Sequence, residues 1–188
     1  MAIEEAAYTV TMQDGAFEIR DYAPHVVAET LVEGTLEEAG STAFNRLFRY
    51  ISGGNRSREK VAMTAPVSQQ PKGEKIAMTA PVAQRRVREQ WAVSFMMPAT
   101  YTLETLPAPE DPQVTLRQVP ARKIAAVRYS GSWNEKGYLL HNSELESWMR
   151  AKGLASAGDP QWARYNSPFT LWFLRRNEIL VPVAAGAN

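Results

Sequence analysis

Side chains suited to polar chemistry are scarce in this chain. His25 and His141 are the whole histidine supply; they lie far apart and neither belongs to a spaced ligand motif. There are no cysteines, so disulfides, thiolate metal sites and cysteine nucleophiles are excluded. A zinc site built on either histidine would need carboxylates to complete it, and no HExxH-like spacing occurs. Dinucleotide fingerprint, phosphate loop and GxSxG elbow are missing as well. Function is therefore expected to rest on shape and apolar contact rather than on a polar catalytic cluster.

The other candidate donors are two methionines in a duplicated segment. Lys60-Val-Ala-Met-Thr-Ala-Pro-Val67 returns as Lys75-Ile-Ala-Met-Thr-Ala-Pro-Val82, fifteen residues on. If the copies pair as an antiparallel hairpin around Gln70–Gly73, the odd shift puts Val61, Met63, Ala65, Val67, Ile76, Met78, Ala80 and Val82 on one apolar face. Pro66 and Pro81 donate no ladder hydrogen bond and need edge positions or bulges. The other reading makes one copy a core strand and the second a tolerated loop. Methionine on a strand face is usually core filler, which ranks thioether ligation by Met63 or Met78 low.

The elements that would position these residues are legible in pattern. Phe17–Tyr22 and His25–Glu33 read as strands, the second stopping at Gly34. Thr35 with Glu38 three residues on fits a capping box. Behind it, Leu36, Ala39, Ala43, Leu47 and Ile51 recur at helical spacing, with Phe44 and Phe48 widening the stripe, until Ser52-Gly-Gly-Asn55 ends the helix. A shift of 97 residues repeats the plan without a gap. Phe17 falls on Val114, Ile19 on Leu116, Tyr22 on Val119, Val27 on Ile124, Ala28 on Ala125 and Gly34 on Gly131. A second helix follows from Asn134 to Lys152, with Tyr138, His141, Leu145, Trp148 and Met149 on one stripe. Neither half has enough elements to close a core alone. The expected fold is α+β: a distorted β-barrel of curled antiparallel sheets with two helices packed outside, built from two pseudosymmetric strand–strand–helix–strand–strand halves at about residues 8–97 and 113–183. Residues 1–188 are thus expected to form a single domain, the proline-rich Pro98–Pro112 stretch joining its halves.

Composition narrows the class. Apolar residues are 45% and charged residues 22% of the chain, as in globular proteins. A net charge of +1 gives no global field to attract nucleic acid. The N-terminus lacks a basic segment followed by an apolar run, and no apolar stretch approaches the ~18 residues of a membrane span, so a cytoplasmic protein is expected.

Five segments, in order, resemble the SOUL haem-binding family: Ile19-Arg-Asp-Tyr-Ala-Pro24, Phe44-Asn-Arg-Leu-Phe-Arg-Tyr-Ile51, the MTAPV motif, Tyr165-Asn-Ser-Pro168, and Arg175-Arg-Asn-Glu-Ile179. The similarity spans about Tyr8 to Val183, and the doubled MTAPV resembles prokaryotic members. It implies a barrel with internal pseudosymmetry, and binding of haem or a related tetrapyrrole between the first helix and a loop before the last strand. By position the contacts would be Ser41, Phe44, Leu47, Phe48 and Arg49 on the helix, and Pro168–Phe173 on the loop. A porphyrin is a flat apolar plate with two carboxylates. Phe44, Phe48, Trp172 and Phe173 could supply faces for it, and Arg49, Arg175 or Arg176 a cation at the rim. Each also has a purely structural reading, the phenylalanines as helix core and the arginines as partners of Asn177 and Glu178. The chain departs from the family where some members carry a histidine after the Ile-Arg pair; here that residue is Asp21. His25 and His141 are the remaining candidates for the iron, and binding through the ring faces without a strong ligand is the alternative. The leading expectation is a reversible tetrapyrrole binder for buffering, transport or delivery. Two others stand beside it: a tetrapyrrole-modifying enzyme, for instance one removing the metal with Asp21, Glu18 or His25 as proton donor, and a small-molecule effector-binding module.

Overall fold

A computed structural model describes residues 3–58 and 73–185. Its elements in chain order are β1 (Glu4–Glu5), β2 (Tyr8–Asp14), β3 (Phe17–Tyr22), β4 (His25–Val32), α1 (Leu36–Ile51), β5 (Asn55–Arg56), β6 (Thr79–Ala80), β7 (Val82–Val87), β8 (Gln90–Met96), β9 (Ala108–Pro109), β10 (Thr115–Val119), β11 (Arg122–Tyr129), α2 (Glu135–Ala151), β12 (Gln161–Arg164) and β13 (Asn177–Pro182), with a single 3₁₀ turn at Trp172–Leu174.

Nine strands make one antiparallel sheet in the order β10-β4-β8-β7-β12-β13-β11-β3-β2. The sheet curls into a half-barrel whose ends, β10 and β2, remain edges. Leaving β2 aside, the order is palindromic about the β7–β12 junction: β10, β4, β8 and β7 on one side face β3, β11, β13 and β12 on the other. β4 and β11 are both eight residues long and begin 97 residues apart. The first strand of each segment is exchanged: β3 pairs with β11 and β10 with β4. α1 packs on β4 and β8, and α2 on β11 and β13.

The helices begin where local chemistry dictates. Thr35 caps α1, its hydroxyl accepting from the Glu38 N–H at 3.3 Å while the Glu38 carboxylate accepts from the Thr35 N–H at 3.1 Å. Asn134 caps α2 by accepting from the Gly137 N–H at 2.8 Å. Each strand-to-helix turn has a glycine in the left-handed region, Gly34 at φ 115° and Gly131 at φ 144°, where a Cβ would be strained.

Strand alternation then separates two faces. Val26, Ala28 and Val32 of β4, Val93 and Phe95 of β8, Ala125 and Val127 of β11, and Ile179 and Val181 of β13 join Leu36, Ala39, Ala43, Leu47, Tyr138, Leu145 and Met149 of the helices in the main core. On the reverse face a smaller cluster of Tyr22, Ile124, Ala126, Ala163 and Leu180 lies beside a buried ion network. Arg20, 1% exposed, binds Glu178, 0% exposed, through two hydrogen bonds of 2.7 and 3.0 Å. Glu178 also accepts from Arg176 at 3.0 Å and from the Tyr165 hydroxyl at 2.8 Å.

The first MTAPV copy and most of the expected turn lie outside the described residues. The second copy bends around Pro81. Thr79 and Ala80 pair in parallel with Glu4 and Glu5, and Val82 opens β7, so the proline falls between two short ladders rather than inside one.

Candidate functional site

A cavity of about 480 Å³ opens between α1 and the Tyr165–Phe169 loop. This lies within the ~300–1,000 Å³ typical of small-molecule sites. One wall is the flank of α1 that the core stripe leaves free, with Gly40, Ser41, Phe44 and Asn45. Phe44 is held in place by its neighbours: it stacks on Phe48 at 5.8 Å and meets Phe95 edge-on at 5.4 Å. The second wall is the bent MTAPV copy, where Met78, Ala80 and Val82 turn the same side to the cavity. Met78 is 38% exposed there, while Ala80 and Val82 are buried.

Trp133, from the turn before α2, and Arg164, the last residue of β12, line the cavity as well. The Trp133 indole N–H donates to Asn177 Oδ1 at 2.8 Å, which fixes its ring. Beyond Arg164 the Tyr165–Phe169 loop closes the far side. Arg175 ties this loop down by donating to the Pro168 carbonyl and the Thr170 carbonyl, both at 2.8 Å. Asn166 Oδ1 accepts from the Arg176 N–H at 2.5 Å. On and after this segment a run of apolar side chains stands in solvent: Phe169 is 94% exposed, and Leu171, Trp172, Phe173 and Leu174 are all more than half exposed. Trp172 and Phe173 pack edge to face at 5.6 Å.

The residues singled out from sequence are distributed unevenly around this cavity. Ser41 and Phe44 line it. Phe48 lies beside it, against Phe44, and is 47% exposed. Leu47 is wholly buried in the core beneath α1, and Arg49 is exposed on the last turn of the helix. Trp172 and Phe173 sit on the outer rim rather than in the lining, and Arg175 serves the loop's carbonyls.

Neither histidine reaches the cavity. His25 lines a separate space of about 40 Å³ on the reverse face, its Nδ1 donating to the Ala23 carbonyl at 3.0 Å. Burial, with the charges of Arg122 and Arg117 adding to it, lowers its pKa. His141 stacks on Tyr129 at 3.9 Å and its Nδ1 contacts Glu144 at 2.7 Å. Glu18 pairs with Arg20 and Asp21 with Lys123, so the three candidate proton donors are all placed away from the cavity. Among the described residues no group of three or more His, Asp or Glu side chains could hold a metal ion, and no helix is long and apolar enough to cross a membrane.

Sequence reading missed Met78, Trp133 and Arg164 as lining residues. The MTAPV parity did put Met78, Ala80 and Val82 on a common face, which was the available signal for the first. For Arg164 the signal was weak, because the long-range pairing of β12 with β7 carries it to α1, and Trp133 lies in the turn before α2 with no local pattern to mark it.

An apolar cavity with one cation among its described lining residues thus lies between a helix and a loop on the curled antiparallel sheet of an α+β protein. The SOUL heme-binding protein family profile matches residues 3–182, and the chain belongs to that family. It is 24% identical over 174 residues to heme-binding protein 1 of Xenopus tropicalis, covering 88% of this chain and 87% of that one. It is 42% identical over 57 residues to human heme-binding protein 2, a match covering 30% and 28% of the two chains. Among solved structures, a hydrolase from Listeria innocua superposes with a TM-score of 0.58 at 11% identity, over 93% of this chain and 94% of that one. The C-terminal domain of EcmrR superposes with a TM-score of 0.56 at 11% identity, over 94% and 98%. At such identities the two structures share the fold alone.

Proposed function

We propose that the cavity between α1 and the Tyr165–Phe169 loop binds haem or a related tetrapyrrole reversibly, one per chain, and that the protein buffers, transports or delivers this ligand in the cytoplasm rather than transforming it. The observation that carries the reading is the apolar lining, with Phe44, Met78, Val82 and Trp133 around a single guanidinium. This suits a flat apolar ring with an acidic edge. Family membership supports the ligand class.

The lining also favours binding by the faces of the ring. No histidine is present in it. The Tyr165 phenol donates to Glu178, and burial beside that carboxylate keeps its pKa well above the ordinary value, so it is a poor source of phenolate. Among the described lining residues this leaves the Met78 thioether as the available soft donor. Metal-free porphyrin should therefore bind with an affinity close to that of haem. The absence of a carboxylic acid or imidazole from the described lining gives ring-nitrogen protonation no obvious donor, which favours holding over metal removal.

Titration with haemin, followed in the Soret region, tests the proposal. The expected result is a shifted, saturable band at one equivalent, lost in Ser41→Trp. Ser41 is exposed at the cavity wall, so a large ring there fills the space without disturbing the core. Saturable binding untouched by this variant would remove the site from the cavity.

A further inference from the structure

The cavity holds a cation without a counter-charge. Among the described residues no carboxylate lies within ion-pair distance of Arg164. Its one side-chain hydrogen bond is a long one, from Nη2 to Gln84 Oε1 at 3.4 Å. Its Nε–H is buried with no acceptor. The rest of its surroundings are ring faces, Trp162 at 5.1 Å and Trp133 at 5.3 Å from the guanidinium carbon. Burial alone lowers its pKa to about 10, so it is still a cation at neutral pH.

Room is left for this guanidinium. Gly40 lies in the second turn of α1, inside the helix, where glycine costs about 1 kcal/mol relative to alanine. A Cβ at that position would stand 3.0 Å from Arg164 Nη2 and 3.1 Å from Gln84 Oε1. Gln84 is fully buried and its own amide donates to the Leu36 carbonyl at 2.8 Å, so its oxygen is left directed at the arginine. Among the described residues Arg122 also has no carboxylate in ion-pair contact, but it bonds Gln161 at 3.1 Å and the space beside it is about 40 Å³, too small for more than water.

We propose that Arg164 receives a carboxylate of the bound ligand, making the cavity selective for amphipathic acids. Resting on the tetrapyrrole reading above, this means a preference for carboxylate-bearing tetrapyrroles over their esters. A charge-assisted hydrogen bond in water-poor surroundings would satisfy the donors that the protein leaves open. The preference runs against simple hydrophobicity, since an ester is the more apolar ligand and would otherwise bind the better.

The test is a fluorescence titration with protoporphyrin and with protoporphyrin dimethyl ester, on wild type and Arg164→Met. Wild type should bind the diacid roughly 10- to 100-fold more tightly than the diester, the range expected for a hydrogen bond to a charged group. In Arg164→Met that preference should vanish, the diacid losing roughly 10- to 100-fold in affinity relative to the diester. Equal binding of both by wild type would overturn the carboxylate anchor while leaving the cavity reading intact. A preference that survives in Arg164→Met would place the anchor on another cation and overturn the assignment. Saturable binding of neither ligand would remove the tetrapyrrole reading together with the anchor. The wild-type comparison needs no variant and stands whatever the fold of Arg164→Met.

Discussion

Two arginines of this protein, Arg20 fully buried and Arg164 partly so, have opposite surroundings. On the reverse face of the sheet, Arg20 is saturated: Glu178 takes two of its hydrogen bonds, Glu18 a third at 2.6 Å and the Tyr22 hydroxyl a fourth at 3.1 Å, with the Tyr8 ring 4.4 Å away. On the helix side, Arg164 has one long bond to an amide and two indoles. A buried ion is tolerated when its lone pairs and protons are matched. Arg20 meets that condition within the folded chain. Arg164 would meet it only with something brought from outside. The first arrangement belongs to the scaffold, joining β3 to β13 across 158 residues of sequence, and the second to a site.

The sharpest way to break this contrast is to remove the partner of the saturated arginine. Glu178→Gln leaves Arg20 buried with its main counter-charge gone, and should cost about 3–5 kcal/mol, read as a fall in urea midpoint. Replacing both partners, as Arg20→Met with Glu178→Met, should recover most of that loss, because no uncompensated charge remains. Acid unfolding tests the same pair. The Glu178 pKa lies below its ordinary 4.5: burial would raise it, but Arg20, Arg176 and the Tyr165 hydroxyl outweigh that. A carboxylate with a depressed folded-state pKa binds protons first in the unfolded chain. Its contribution is thus fully present above pH 4.5 and is lost as pH falls through the folded value. Glu178→Gln should lack that part of the acid slope.

The next prediction concerns the other arginine. Arg164→Met in the ligand-free protein should leave the urea midpoint within about 1 kcal/mol of wild type, since only the stacking on Trp133 and Trp162 is lost against relief of a desolvated charge. Arg20→Met alone should cost several times more, because it strands Glu178. Similar losses for both would mean that Arg164 is as structural as Arg20.

Much of the scaffold was legible beforehand because its signals are local. The Thr35–Glu38 box, the stripes of α1 and α2 and the glycines before both helices each occupy a few consecutive residues. The 97-residue offset matched β4 to β11 from pattern alone. The site was legible only in part. Helical periodicity separates a buried stripe from an exposed one, but it does not say which flank borders empty space. The contacts implied by the resemblance grouped Leu47, which is core, with Ser41 and Phe44, which line the cavity. The cations differ in legibility for a related reason. Arg49, Arg175 and Arg176 are conspicuous in sequence, whereas what distinguishes Arg164 is a missing partner, and partners here are fixed by strand pairings that span most of the chain.

A smaller effect is expected where the site meets the scaffold. Arg175 is paired with carbonyls rather than carboxylates, and it anchors the loop on which Pro168 and Phe169 approach the cavity. Arg175→Met should free that loop, raising amide exchange at residues 166–171 and weakening haem binding up to about tenfold, the worth of one or two hydrogen bonds, while barely moving the global midpoint. A large global loss would instead class Arg175 with Arg20 as part of the frame.

The smallest effect belongs to His25, on the saturated face but at its margin. Burial lowers its pKa from the ordinary 6.5, and the nearby Arg122 and Arg117 act in the same direction, against the opposing hydrogen bond to the Ala23 carbonyl. A histidine with a depressed folded-state pKa is protonated first in the unfolded chain, so its contribution is present above pH 6.5 and declines as pH falls through the folded value. His25→Gln should therefore flatten a shallow decline in stability just below pH 6.5 and leave the steeper carboxylate transition at lower pH in place. Because His25 faces the small reverse-face space, the same variant should leave porphyrin titrations unchanged. A loss of binding in His25→Gln would move the ligand to the face of the sheet that carries the Arg20–Glu178 network, and would undo the division between frame and site.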